Sequence, residues 1–230
     1  MGIYLGSNQI DNINIISTSR LNTDIEDQII QRTISQYSNN MILNIRNCAF
    51  YGCVSLASVS LPQATTIGTN AFANCYSLAS INSPQVTSIG AGAFTQCYAL
   101  ISVNLPQVTS IGYYAFFSCY SLTSISLPQT VFIAYSAFEQ CKSLPSISLP
   151  QISYIGSYAF NSCYNLISLY LLGSSIPTLA NISAFKSTPI SNYTTSTGGV
   201  YGSIFVPASL YSSYLTAKNW STYSARIVSV

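Results

Sequence analysis

Histidine is absent from this sequence, and charge nearly so: 230 residues carry seven Lys or Arg and five Asp or Glu. The first absence removes the base on which most serine and cysteine nucleophiles depend, and with it the commonest metal ligand. The carboxylates are Asp11, Asp24, Glu26, Asp27 and Glu139, so four lie near the N-terminus and no pair is left elsewhere to flank a glycosidic bond. Cys48 and Cys53, with no imidazole, make a poor zinc site. Lys142, Lys186 and Lys218 leave Ser–Lys chemistry formally open, but nothing singles one out. The expectation is no catalytic residue, no metal and no cofactor.

A formal net charge of +2 supplies no basic face for a phosphate backbone, so a nucleic-acid partner is not expected. Hydrophobic residues make up 49% of the chain, yet no uncharged apolar run approaches the roughly 20 residues of a membrane helix. Membrane insertion is not expected, and the surface has to be built from Ser, Thr, Asn, Gln and Tyr. The opening "MGIYLGSNQI" lacks a basic segment followed by an apolar one, so no secretory signal is visible. Three readings follow: a trimmed chain, a cytosolic protein, or one released by lysis inside a virion.

What the chain does have is repetition. Phe50, Phe72, Phe94, Phe116, Phe138 and Phe160 are each 22 residues apart. Cys53, Cys75, Cys97, Cys119, Cys141 and Cys163 keep the same spacing, as do Leu56, Leu78, Leu100, Leu122, Leu144 and Leu166. An isoleucine opens each unit, from Ile45 to Ile155. Such a period, inside the range of about 20–29 residues, is the mark of a solenoid whose units bury their apolar face only by stacking. Within a unit the segment L-x-x-(I/V)-x-L alternates as a strand does. In "LTSISLP", Leu122, Ile125 and Leu127 are expected to point inward and Ser124 and Ser126 outward, with Pro128 ending the strand. The cysteines read as small buried hydrophobes with raised thiol pKa. Gln63, Gln85, Gln107, Gln129 and Gln151 read as an amide ladder along the stack.

The unit I-G-x-x-A-F-x-x-C-x-x-L-x-x-(I/V)-x-L-P-Q resembles the BspA-like, or Treponema-type, leucine-rich repeat over residues 45 to about 171. The resemblance implies a right-handed arc with a parallel β-sheet on its concave face, mainly strands and turns, with short helical caps. It also implies a surface adhesin or recognition module. Departures are Ser83 for the strand leucine, Arg46 and Ala134 for the glycine, and Leu172 for the proline. Arg46 and Ala134 argue that this glycine is not held at positive φ.

Three segments follow: an N-terminal cap at 1–44, six repeats at 45–172, and a C-terminal cap at 173–230. Residues 24–37 read as an amphipathic helix with Ile25, Ile29, Ile30 and Ile34 on one stripe, preceded by a strand or hairpin. After Gly173 the 22-residue period stops. A loop is expected at 191–203, a strand at 204–207, and a helix at 208–218 turning Leu210, Tyr214 and Leu215 inward. Both ends resemble those of repeat proteins from gut Firmicutes and their phages.

The candidate binding surface has two parts. Tyr76, Tyr98, Tyr120 and Tyr164 each follow a ladder cysteine, with Lys142 taking the place between the last two. The outward strand positions are Ser80, Asn82, Ser102, Asn104, Ser124, Ser126, Ser146, Ser148 and Tyr170, joined by Ser58, Ser60 and Ser168. Tyrosine offers contact area at low entropic cost and a hydroxyl for specificity, which suits a protein or glycan ligand. The expected function is non-enzymatic recognition or adhesion, extracellular or at the cell surface. The alternative is a phage tail or fibre protein in the virion, and a hydrolase is the least favoured class.

Overall fold

A computed structural model describes residues 35–38, 40–191 and 201–230, and the backbone of Ile3–Leu5 and Asn8–Ile10. The last two segments pair antiparallel as a hairpin, the form expected there. The helix read at 24–37 lies outside the described residues up to 34. Its final part is instead the strand Gln36–Ser38, which pairs in parallel with Ser58–Ser60. Tyr37 is drawn into that strand because its ring is buried against Phe50, with centroids 5.0 Å apart.

Each coil contributes two strands where the sequence pattern suggested one. The longer are Ser58–Ser60, Ser80–Asn82, Ser102–Asn104, Ser124–Ile125, Ser146–Ser148 and Ser168–Tyr170. The shorter, from Asn44–Ile45 to Thr178–Leu179, form one seven-stranded parallel sheet in chain order. From Gln36 to Tyr170 every parallel pairing joins residues 22 apart, as in Ser80↔Ser102 and Ile67↔Ile89.

Between the short and long strands the chain turns through I-G-x-x-A-F-x-x-C. Two residues per turn lie in the left-handed region. One series is Cys48, Asn70, Gly92, Tyr114, Ser136 and Tyr158, and the other is Gly52, Asn74, Gln96, Ser118, Gln140 and Ser162. None of these twelve is β-branched, the class for which positive φ costs most. Each pair flips peptides so that alternate N–H groups leave the coil. Asn70, Phe72 and Asn74 donate to the carbonyls of Ala91, Ala93 and Thr95 at 2.8 Å. The N–H groups between them close turns within their own coil, as Ala73 does on Asn70.

The glycine after each isoleucine has ordinary φ, as Arg46 and Ala134 implied. Its restriction is space: a Cβ on Gly90 would lie 2.6 Å from the carbonyl carbon of Gly68 in the preceding coil. The coil carrying Ala134 admits a methyl there and keeps the same hydrogen bond. Ala134 N–H reaches Ile111 at 3.0 Å, against 2.7–2.9 Å for Gly90 and Gly112.

Inside the coils the phenylalanines form a column. Phe50 to Phe160 stack at 5.0–5.3 Å between centroids, with planes 2–8° apart. The thiols do more than fill space. Cys75, Cys97, Cys119, Cys141 and Cys163 each donate to the carbonyl of the phenylalanine 25 residues earlier, with Sγ···O of 2.9–3.2 Å. All seven cysteines are free. Burial holds the thiols of Cys97, Cys119, Cys141 and Cys163 far above their ordinary 9.0, and contact with Cys53 followed by burial does the same for Cys75. The glutamines, in contrast, are exposed and make no ladder among the described residues. Hydroxyls two positions later take that role. Thr87 Oγ1 donates to Thr65 O at 3.3 Å and Thr109 Oγ1 to Thr87 O at 3.1 Å, each beside its own N–H on the same carbonyl.

Past Gly173 the spacing lengthens but stacking continues. Thr178–Leu179 pairs with Tyr154–Ile155, and Phe185 adds a seventh ring 5.5 Å from Phe160. The strand Ser203–Val206 then pairs with Ser168–Tyr170, close to the expected 204–207. A 3-10 turn, Ala208–Leu210, and an α-helix, Tyr211–Thr216, follow, with Tyr214 buried and Leu210 and Leu215 packed on the core. Trp220 and Tyr223 close the ring column against Phe185, and Trp220 Nε1–H donates to Pro177 O at 2.8 Å. The expected loop at 191–203 lies mainly outside the described residues.

Two outcomes follow. Brief treatment of the folded protein with iodoacetamide should give one adduct by mass spectrometry, at exposed Cys48, and seven only after unfolding in guanidinium. The buried thiols of Cys75, Cys97, Cys119, Cys141 and Cys163 make stability pH-dependent. Their folded pKa values are raised, so the contribution is complete below the unfolded value and is lost as pH climbs past about 9 toward the folded values. The second concerns Ser83, which is fully buried with its hydroxyl unpartnered where other coils place Leu61, Leu105 and Leu127. Ser83→Leu should stabilise by about 2 kcal/mol in urea unfolding, combining apolar burial with relief of an unpaired hydroxyl.

Candidate recognition surface

The turn between each ladder cysteine and the following long strand places one side chain per coil at the coil's corner. Tyr76 and Tyr98 stack there with centroids 5.2 Å apart, and Tyr98 and Tyr120 at 5.0 Å, with planes within 10°. Lys142 Nζ lies 4.0 Å from the centre of the Tyr120 ring, a cation–π contact that ends the run of rings. Tyr120 is further held by its hydroxyl, 3.3 Å from Gln140 Oε1. Stacking on both faces desolvates Tyr98, which raises its phenol pKa, and Tyr120 and Tyr76 add to the shift. Tyr164 takes the next place in the column and is half-buried.

The strand positions lie as the alternation requires. Ser80, Asn82, Ser102, Asn104, Ser124, Ser126, Ser146 and Ser148 are exposed, while Val59, Ile81, Val103 and Ile147 between such pairs are buried. Asn104 Nδ2–H donates to Asn82 Oδ1 at 3.3 Å, tying two rungs. Tyr170 stands apart from the tyrosine column; its ring stacks on Phe205 of the C-terminal strand at 4.6 Å.

This sheet has a seam. It divides into a five-stranded part ending at Ser124–Ile125 and a four-stranded part beginning at Ser146–Ser148. The cause is one residue. Ala79, Ile101 and Thr123 each donate N–H to the residue one repeat earlier, and the next in that series is Pro145, which has no N–H to give. Ile125 is accordingly only half-buried where its counterparts are buried. The expected row of serines therefore consists of two short rows meeting at Pro145.

A second aromatic surface escaped the sequence reading. Phe132 stacks on Tyr154 at 5.0 Å on the short-strand sheet, and Tyr114, Tyr135 and Tyr158 meet edge-on at 5.4–5.6 Å along the turns. These rings occupy variable positions in coils four to six, and the signal available was their clustering between residues 113 and 158.

The repeat geometry has known counterparts. The family description "BspA type Leucine rich repeat region (6 copies)" matches residues 31–132 and 87–205. The chain belongs to the BspA-type leucine-rich repeat family. A Treponema pallidum leucine-rich repeat protein of known structure is 31% identical, with a TM-score of 0.58 over 63% of this chain and 71% of that one. A leucine-rich repeat protein from Bacteroides ovatus shares the fold at 21% identity and a TM-score of 0.53, covering 76% and 60% of the two chains. No curated protein matches the sequence. For this BspA-type chain, no group of three His, Cys, Asp or Glu that could hold a metal occurs among the described residues. No helix among them is long and apolar enough to cross a membrane.

The seam can be tested directly. Pro145→Thr returns a donor to the Thr123 carbonyl, but it also loosens the unfolded chain, so the net stability change should be small. Amide hydrogen exchange reads the local effect: residues 124–127 and 146–148 should exchange about tenfold more slowly in the variant. Unchanged rates would mean that another constraint splits the sheet.

Proposed function

We propose that this protein is a non-enzymatic recognition module that binds a protein or a glycan through the tyrosine column and the exposed Ser and Asn rows of the long-strand sheet. It works outside the cell or on its surface, as an adhesin does. The reading is carried by the Tyr76–Tyr98–Tyr120–Lys142 column. Its rings are parallel, held on a rigid stack, partly exposed and nearly uncharged around. A preformed aromatic row of this kind loses little side-chain freedom when a ligand lies along it. Membership of a family of surface repeat proteins supports the same reading. The lack of histidine and the single described carboxylate, Glu139, which accepts from Asn161 Nδ2–H at 2.8 Å, leave acid–base chemistry without a partner on this surface.

The test is a glycan array together with capture of surface proteins, using the full chain and a variant with Tyr76, Tyr98 and Tyr120 changed to alanine. The variant should keep the circular dichroism of the stack and lose at least about tenfold in affinity, since about three aromatic contacts are removed. Binding that is unaffected in a folded variant would remove the column from the function.

A further inference from the structure

The seventh coil carries the last turn of the repeat kind among the described residues, and that turn faces a cavity of about 560 Å³ bounded by Ile182, Ser183, Lys186 and Ser187 on one side and Thr222 and Tyr223 of the cap on the other. In the coil before it, Ser162 N–H donates to the Lys186 carbonyl at 2.9 Å. Ser187 is the counterpart of Ser162, left-handed like it at φ 56°, and its N–H should leave the coil in the same direction. No eighth turn follows, and among the described residues nothing accepts from the Ser187 N–H. Ser183 Oγ, on the same wall, is buried and unpartnered. The Tyr223 hydroxyl is committed to the Ile182 carbonyl, so that side chain offers its ring.

Charge points the same way. From residue 35 on, the chain carries Arg46, Lys142, Lys186, Lys218 and Arg226 against one carboxylate side chain, Glu139. Among the described residues of the cavity wall, Lys186 is the one cation and none is acidic. Lys186 and Ser187 are consecutive and line the same cavity, and an ammonium and a free backbone N–H on one wall suit an oxyanion. The Ser187 and Thr222 hydroxyls, the Tyr223 ring and Ile182 suit a polyhydroxylated ring, and the volume lies within the range of about 300–1,000 Å³ typical of small-ligand sites.

We propose that this cavity binds a carboxylate-bearing monosaccharide, a sialic or uronic acid residue, with the carboxylate at Lys186 Nζ and the Ser187 N–H. The site is separate from the tyrosine column and does not rest on it. Calorimetry on the full chain, with the methyl glycosides of N-acetylneuraminic acid and glucuronic acid as ligands, tests it. At least one should bind, and methyl glucoside and sodium acetate should bind at least tenfold more weakly. Lys186→Gln, at an exposed side chain whose loss leaves folding intact, should weaken the acid sugar by about tenfold or more. Lys142→Gln and the triple tyrosine variant should leave it unchanged. The two acid-sugar arms distinguish the sources of the carboxylate. Absence of binding by both, an equal response to acetate, or indifference to Lys186→Gln would each overturn the proposal.

Discussion

The structure depends on one repeated hydrogen bond: a turn N–H that leaves its own coil and is accepted by the next. It requires two left-handed residues per turn, and once these are set the coils can approach only at a fixed spacing. That spacing brings the phenylalanine rings to about 5 Å and each cysteine within reach of a carbonyl one coil back. It also puts the backbone so close that a side chain after the opening isoleucine has almost no room. The core, the aromatic column and the exposed rows are all consequences of this one register.

The same regularity explains how a chain with so few charges holds together. Apolar columns exclude water, while hydroxyls and thiols donate along the stack to carbonyls that already accept a backbone N–H. Most interior polar groups are thus satisfied by hydrogen bonds along the stack, although the hydroxyls of Ser83 and Ser136 remain unpartnered, and ion pairs at exposed sites contribute little in any case. The ends are the exception. At one of them Tyr37 tilts over Phe50, and at the other Trp220 and Tyr223 cross Phe185 at angles that stop the ring column.

Most of this fold could be read from spacing alone. The period located the buried Phe, Cys and Leu columns, the alternation in "LTSISLP", and the outward Ser and Asn positions. Other features were hidden for physical reasons. The left-handed positions are held by Cys, Asn, Gly, Tyr, Ser and Gln, so no glycine signature marks them. A thiol that donates to a carbonyl has the same sequence signal as one that merely fills space. The seam at Pro145 is silent because it comes from a missing donor, and the pattern tolerates any residue there. The seventh coil was obscured because its insertion lengthened the spacing while its Phe185 still met Phe160. The tyrosine column was legible as a list of positions, but its ring contacts with Lys142 were not.

The thiol–carbonyl contacts reach back 25 residues, whereas the ring and strand contacts reach back 22. Both distances are preserved when a whole coil is gained or lost, whereas extra residues lengthen only the contacts that span them, as in the pairing of Tyr154 with Thr178 and the stacking of Phe160 on Phe185. Unequal recombination between near-identical units can therefore lengthen or shorten this molecule in whole steps. A one-residue slip inside a turn has to be absorbed where it falls, as it is between Leu179 and Phe185, where the strand pairing and ring stacking persist. The chain's evolutionary length is in that sense quantised, and descendants should differ by complete coils wherever the strict repeat is kept.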